Sequence, residues 1–260
     1  MRILITNDDG INAPGLKAIE KIANKIKGST GEIWIVAPAV EKSGVGHCIS
    51  LTQPILISQL GPQKYAIDGN PADCIIAALH HILKDTPPDL ILSGVNRGNN
   101  SAENALYSGT LGAALEGALQ GIPSMALSQY LGPKNFNIKD PFEASHSHGS
   151  ELVQEILSQK LSSKDNYDIF YNINFPPCPS KDVKGVRVTP QGYRKNNHFT
   201  TELTKTPSMR ELLFVKGGDQ QVSASPGCDV YANLNGYISV TPMTADLTDY
   251  PSLEALKGIE

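Results

Sequence analysis

The chain has 260 residues, 40% of them hydrophobic and 18% charged, and a formal net charge of -4, which suits one sizeable buried core with a smaller appendage. That balance, without a long Lys/Arg run, excludes a nucleic-acid polymer as the expected partner, because tracking a phosphate backbone needs a concentrated basic surface. No stretch approaches the roughly 18 apolar residues of a bilayer span, the start lacks a secretory pattern, and Cys48, Cys74, Cys178 and Cys228 show no C-x-x-C spacing; the expectation is a cytoplasmic protein with reduced thiols and no membrane partner.

The first apolar run, Arg2-Ile3-Leu4-Ile5-Thr6, reads as a buried strand and ends at once in Asn7-Asp8-Asp9-Gly10. Ligands of open parallel α/β sheets gather at the carboxyl ends of the strands, so an acid pair at this tip suits a hard divalent cation. A plain Asp-Gly turn is the competing reading. Spacing then predicts a helix over 15–26, a strand over 32–38 and an antiparallel pair around 55–58 and 64–67. Asn70-Pro71 starts a helix over 72–83, with Ile75, Ile76, Leu79 and Leu83 at core spacing. A strand over 89–93, a helix over 110–120, a strand over 123–128, a helix over 150–159 and a strand over 168–175 follow. This alternation predicts an α/β fold with a mostly parallel sheet flanked by helices. Residues 130–150, rich in Gly, Pro, Asn, Lys and His, read as a long surface loop, with a lid as one role. From about 185 the segments become polar and β-like; they are expected to pack outside the main sheet, apart from a final strand at 236–242. The predicted division is a core over 1–185 and a β-rich extension over 186–260.

Three further polar loops follow core strands. In Lys42-Ser43-Gly44-Val45-Gly46-His47 the glycines let backbone amides approach a ligand beside the Ser43 hydroxyl. His47 titrates in a range useful for catalysis, although such a histidine is more often a local hydrogen-bonder. In Gly94-Val95-Asn96-Arg97-Gly98-Asn99-Asn100, the Asn96 amide oxygen can complete a metal shell and Arg97 can pair with phosphate; an ordinary Asn/Gly loop is the alternative. Tyr107-Ser108-Gly109-Thr110 opens a helix, so its hydroxyls and first amides point where a phosphate is stabilised. Ser108 or Thr110 serves equally as an N-cap worth on the order of 1 kcal/mol. His80 and His81, adjacent on a helix and about 100° apart, read as structural.

In chain order, Ile5-Thr6-Asn7-Asp8-Asp9-Gly10 with Ala13-Pro14-Gly15, Val36-Ala37-Pro38 with Ser43-Gly44, Ser93-Gly94-Val95-Asn96 with Gly98, and Tyr107-Ser108-Gly109-Thr110 closely resemble the SurE family, survival-protein phosphatases acting on nucleoside monophosphates. The likeness is dense over 1–128 and resumes at 172–176 and 236–242. It implies a Rossmann-like core with a C-terminal β-hairpin extension used in homodimer or homotetramer assembly. It further implies that Asp8, Asp9, Ser43 and Asn96 hold one divalent metal ion per subunit, and that Ser108, Gly109 and Thr110, with Asn96, lie by the phosphate. Gly69-Asn70-Pro71-Ala72-Asp73 departs from the Gly-Thr-Pro-Ala-Asp of many relatives; Thr and Asn both cap helices, which favours a structural exchange.

An all-oxygen shell favours Mg²⁺ or Mn²⁺ over Zn²⁺. The expected chemistry is hydrolysis of nucleoside 5′-monophosphates by a metal-activated water, with 3′-monophosphates and short polyphosphate as further candidates. Asp8 is expected to orient or deprotonate the water and Asp9 chiefly to hold the metal; direct attack by Asp8, giving an aspartyl-phosphate, stays open. No G-x-x-x-x-G-K-[ST] loop is present, so triphosphates are expected to be poor substrates. Base preference is expected from the 130–150 loop. Two other classes compete: a non-catalytic nucleotide- or metal-binding module, and a metal-dependent sugar-nucleotide transferase.

Overall fold

Strand β1 (Arg2–Thr6) is bonded in parallel on both edges, to β2 (Glu32–Pro38) and to β5 (Leu90–Arg97). That central position is why its apolar run is unbroken: a strand covered on both faces has no solvent side to alternate towards. The computed structural model describes residues 1–161 and 166–259. In it β1 leads to helix α1 (Pro14–Ile26), and β2 to the antiparallel pair β3 (Ile57–Gly61) and β4 (Lys64–Ile67). Helix α2 (Pro71–Ala77) continues as a π-turn over Ala78–Ile82 before β5. Next come α3 (Asn104–Tyr107), α4 (Gly109–Leu119), β6 (Ser124–Gln129), α5 (Glu143–Ser158) and β7 (Phe170–Phe175). The tail holds β8 (Val186–Val188), β9 (Thr200–Lys205), β10 (Glu211–Lys216), α6 (Asp229–Leu234), β11 (Ile238–Met243) and α7 (Tyr250–Leu256).

Nine strands form one sheet in the order β3-β4-β2-β1-β5-β6-β7-β11-β8, parallel except for the β3–β4 and β7–β11 pairs. Helices cover both faces. Leu16, Ile19, Ile22, Ala23 and Ile26 of α1 recur at helical spacing and pack with α5 over one face. On the other face α2 lies against α4, with Ile75, Cys74 and Ala113 in its core. The α/β, Rossmann-like architecture with a C-terminal β-hairpin is as the sequence predicts.

Two expectations change. The tail does not lie wholly outside the main sheet, because β8 pairs in parallel with β11, which itself pairs with β7. Only β9 and β10 form a separate hairpin, exposed along its whole length, including Leu203, Leu212, Leu213, Phe214 and Val215. The 130–150 stretch is not a free surface loop: α5 begins at Glu143, and Tyr130, Asn135 and Phe142 are buried. Its Ser, His and Gly residues are weak helix formers, and packing decides instead. A Cβ on Gly149 would meet the Ile22 side chain at 2.7 Å, so α5 sits on α1 where glycine leaves room. Asn135 further pins the segment, donating from Nδ2 to Tyr130 O (2.8 Å) and accepting from Gly132 N (2.8 Å).

Candidate active site at the strand ends

The acid loop is shaped by its own first residue. Buried Asn7 donates to Gly10 O (2.9 Å) and accepts from Gly10 N (3.2 Å), closing a tight turn that carries Asp8 and Asp9 across the end of β1. Gly10 has φ +98°, a conformation that glycine adopts without strain. Lys42 N donates to Asp8 O (2.7 Å), which ties the Ser43 loop to the acid loop, and Arg97 N donates to Asp9 Oδ2 (3.0 Å), which ties in the end of β5.

Asp8 is 3% exposed and meets the start of α4. Thr110 Oγ1 donates to Asp8 Oδ1 at 2.5 Å, and a Cβ on Gly109 would stand 2.9 Å from the Asp8 Cβ. Only a glycine allows the helix N-terminus to abut the carboxylate this closely. Ser108 caps the helix, its Oγ accepting from Leu111 N (3.1 Å). Burial pushes the Asp8 carboxyl up to about 6, the neighbouring Asp9 adds to the rise, and the Thr110 hydrogen bond opposes it. Asp9 is raised as well, by burial first, against the hydrogen bond from the Arg97 amide.

Asn96 donates from Nδ2 to Gly98 O (3.1 Å), which leaves its Oδ1 as the acceptor facing away from that carbonyl. Ser43, which is exposed, donates to Glu41 Oε1 (2.8 Å), so its oxygen lone pairs stay available. An open cleft of about 430 Å³ brings together Asp8, Ser43, Asn96 and Ser108 from four chain segments. Gly109 and Thr110 lie against its Asp8 wall, and Asp9 stands beside it on the Arg97 amide. His47 lies elsewhere: its Nε2 is 2.7 Å from Glu116 Oε2 on α4. His80 contacts the Gln120 side chain (3.1 Å), in keeping with the structural reading.

The family profile described as Survival protein SurE matches residues 3–198. The chain belongs to the SurE family. A protein of a Ruegeria species named 5′-nucleotidase SurE is 61% identical over 260 residues, covering all of both chains. One of the same name from Roseobacter denitrificans is 57% identical over 259 residues, covering 100% of this chain and 99% of the relative. The crystal structure of the SurE protein from Aquifex aeolicus is 33% identical, with a TM-score of 0.81, covering 100% of this chain and 99% of that one.

The cleft of this SurE chain is also lined by residues to which the sequence reading gave no role. Asn99, Asn100, Asn104 and Tyr107 line the cleft with Phe199, Gly217 and Gln220 from around the hairpin, whereas residues 130–150 do not. The loop after β5 is stapled to β7: Asn100 N donates to Asn174 Oδ1 (2.7 Å) and Asn172 Nδ2 to Asn100 O (2.9 Å). Both Asn172 and Asn174 are fully buried. Paired amides inside an otherwise apolar strand are the signal that could have found this staple, because a buried amide demands a partner.

Thr110→Val removes the donor to Asp8 Oδ1. The hydroxyl proton is committed to Asp8, so the loss is not confined to a phosphate donor. Losing a hydrogen bond to a charged group costs roughly 1.5 to 3 kcal/mol, and the expected result is Mn²⁺ affinity weakened by about tenfold or more at pH 7. Calorimetric titration of the variant checks it; parent-like affinity would separate Thr110 from the cation site.

Proposed function

We propose that the protein is a metal-dependent phosphatase that hydrolyses nucleoside 5′-monophosphates to nucleoside and orthophosphate. The observation that carries this reading is the abutment of the α4 N-terminus on the Asp8 carboxylate, with only Gly109 between them. Acids suited to a cation and helix amides suited to an anion therefore stand side by side, which supports a site for both. The names of the relatives, 5′-nucleotidase SurE, supply the substrate class.

The residues present fit one divalent ion. Asp8, Asp9, Ser43 Oγ and Asn96 Oδ1 are hard oxygen donors, and among the described residues no cluster of three or more His, Cys, Asp or Glu forms a metal site. That chemistry favours Mg²⁺ or Mn²⁺ over Zn²⁺. When bound, the ion supplies charge neutralisation at the phosphoryl oxygens and a more acidic water. Thr110 holds Asp8 Oδ1, so Oδ2 is the oxygen left to orient that water and accept its proton. Asp9 is braced by the Arg97 amide and serves chiefly as a ligand. Ser108, Gly109 and Thr110 place the hydroxyl and the first amides of α4 around the phosphate.

Phosphate release from AMP, UMP and ATP by metal-loaded protein, with and without chelator, tests the function. The monophosphates should turn over only with metal, and ATP more slowly, since no P-loop and lysine cradle a triphosphate. Tight binding of monophosphates without release would instead mark a binding module.

We further assign residues 1–185 to the catalytic core and 186–260 to assembly and the cleft wall, with β8 and β11 lent to the core sheet. The exposed hairpin, which is marginal alone, is assigned to homodimer or homotetramer contacts. Replacing residues 200–216 by a two-residue turn is expected to lower the mass read by light scattering. A parent already monomeric at micromolar concentration would refute the assignment. No helix among the described residues is long and apolar enough to cross a membrane; with four free cysteines we place the enzyme in the cytoplasm.

A further inference from the structure

Phe199 comes from the tail, yet its ring meets that of Tyr107 at the cleft, with centroids 4.8 Å apart and planes at 73°. The pair is not a core contact. Tyr107 is 47% and Phe199 49% exposed, so about half of each residue stays open to solvent beside Ser108. Large apolar faces kept wet at a cleft mark a binding surface rather than a packing one.

An amide cluster stands next to this platform, and its hydrogen bonds fix its polarity. Gln220 Nε2 donates to Gly218 O (3.0 Å), a carbonyl that can only accept. Gln220 Oε1 must therefore face the two asparagines, and it accepts from Asn99 Nδ2 (2.9 Å) and Asn104 Nδ2 (2.7 Å). Asn99 is locked in turn, because its Oδ1 accepts from Arg194 Nη2 (2.9 Å). With Nδ2 of Asn104 committed, its Oδ1 is left without a protein partner among the described residues. The cleft thus presents a fixed acceptor beside an aromatic face. At about 430 Å³ it is far larger than orthophosphate requires.

Building on the phosphatase reading, we infer that Tyr107 and Phe199 form a stacking platform for the nucleobase, and that Asn104 Oδ1 accepts a hydrogen bond from a sugar hydroxyl. Selectivity for nucleotides over simple sugar phosphates then resides in the aromatic pair, since a sugar phosphate offers Asn104 the same hydroxyls. It tolerates purines and pyrimidines alike, since every base has a π-face.

Steady-state hydrolysis of AMP, UMP and ribose 5-phosphate by the metal-loaded parent, Phe199→Ala and Phe199→Trp tests the platform. The ratio of kcat/KM for AMP to that for ribose 5-phosphate should fall about tenfold in Phe199→Ala, mainly through KM, and return in Phe199→Trp. UMP should follow AMP. Asn104→Leu should level the parent's preference for AMP over its 2′,3′-dideoxy analogue. An unchanged ratio in Phe199→Ala, or an equal fall for AMP and ribose 5-phosphate, overturns the platform. A parent that releases phosphate from none of these compounds removes the phosphatase reading beneath it, whereas an active parent with a flat ratio across the variants removes the subsite alone.

Discussion

Asp8→Asn is expected to abolish phosphate release and, in the same protein freed of metal, to raise thermal stability at pH 7. Both effects come from one buried charge. Burial moves the Asp8 carboxyl from 3.8 to about 6. Its folded-state value lies above the unfolded one, so the folded protein binds the proton more tightly. The carboxyl therefore favours folding only when protonated, below about pH 4, and that contribution is lost as pH rises through about 6. At 1.36 kcal/mol per pH unit the loss amounts to about 3 kcal/mol at pH 7. The amide carries no charge and can still accept from Thr110, so it escapes this cost. For a chain of this length the gain is of the order of 5 to 10 °C in Tm. Melting curves with chelator at pH 7 and pH 4 check the sign: the variant should lead at pH 7 and converge with the parent at pH 4. Asp9→Asn should be equally inactive but less stabilised, since the Arg97 amide favours the charged form of Asp9. An Asp8→Asn protein that melts lower than the parent at pH 7 would remove the account.

Arg194→Met is expected to carry the largest stability loss. The guanidinium is fully buried, with Nη1 donating to Ser101 O (3.2 Å) and Glu103 Oε1 (2.9 Å), and Nη2 to Asn99 Oδ1. Methionine fills much of the volume but withdraws the charged donor from Glu103, Asn99 Oδ1 and Ser101 O, although Asn99 Oδ1 keeps the Ser101 amide (3.3 Å) and hydroxyl (3.2 Å). Removing one partner of a buried pair costs about 3 to 5 kcal/mol, or about 10 °C in Tm. Glu103 still accepts from Asn197 (3.1 Å), which places the expected loss near the lower end. Urea unfolding measures it; an unchanged midpoint would show that the network carries no net stability.

The parts of the site that the sequence makes legible are those built by local chemistry. An unbroken apolar run ending in Asp8-Asp9 needs no distant partner to be read as a strand tip, and Ser108-Gly109-Thr110 reads as a helix start from its own residue types. Phe199, Gln220 and Arg194 are illegible for the opposite reason. Their neighbours lie about a hundred positions away in the chain, in segments without periodicity, so nothing local marks them. The 130–150 stretch misleads because glycine and histidine suggest a loop, whereas Gly149 is present to let α5 press on α1. Likewise β8 looks like part of a detached tail because its partner β11 lies beyond the hairpin.

The position of β11 between β7 and β8 sets the order in which the molecule can be built. Every strand from β3 to β7 in the sheet is encoded before residue 176, so a chain growing from its N-terminus can close the acid loop, the Ser43 loop, the Asn96 strand end and α4 while the rest is still in the ribosome. β8 emerges next and has nowhere to go until residues 238–243 arrive. During that interval β7 presents an open edge, the kind of edge that invites pairing with another chain. The nascent protein thus completes its acid loop before the wall that carries Phe199 and Gln220, and its last step of maturation is the one that closes the edge of β7 against its neighbours.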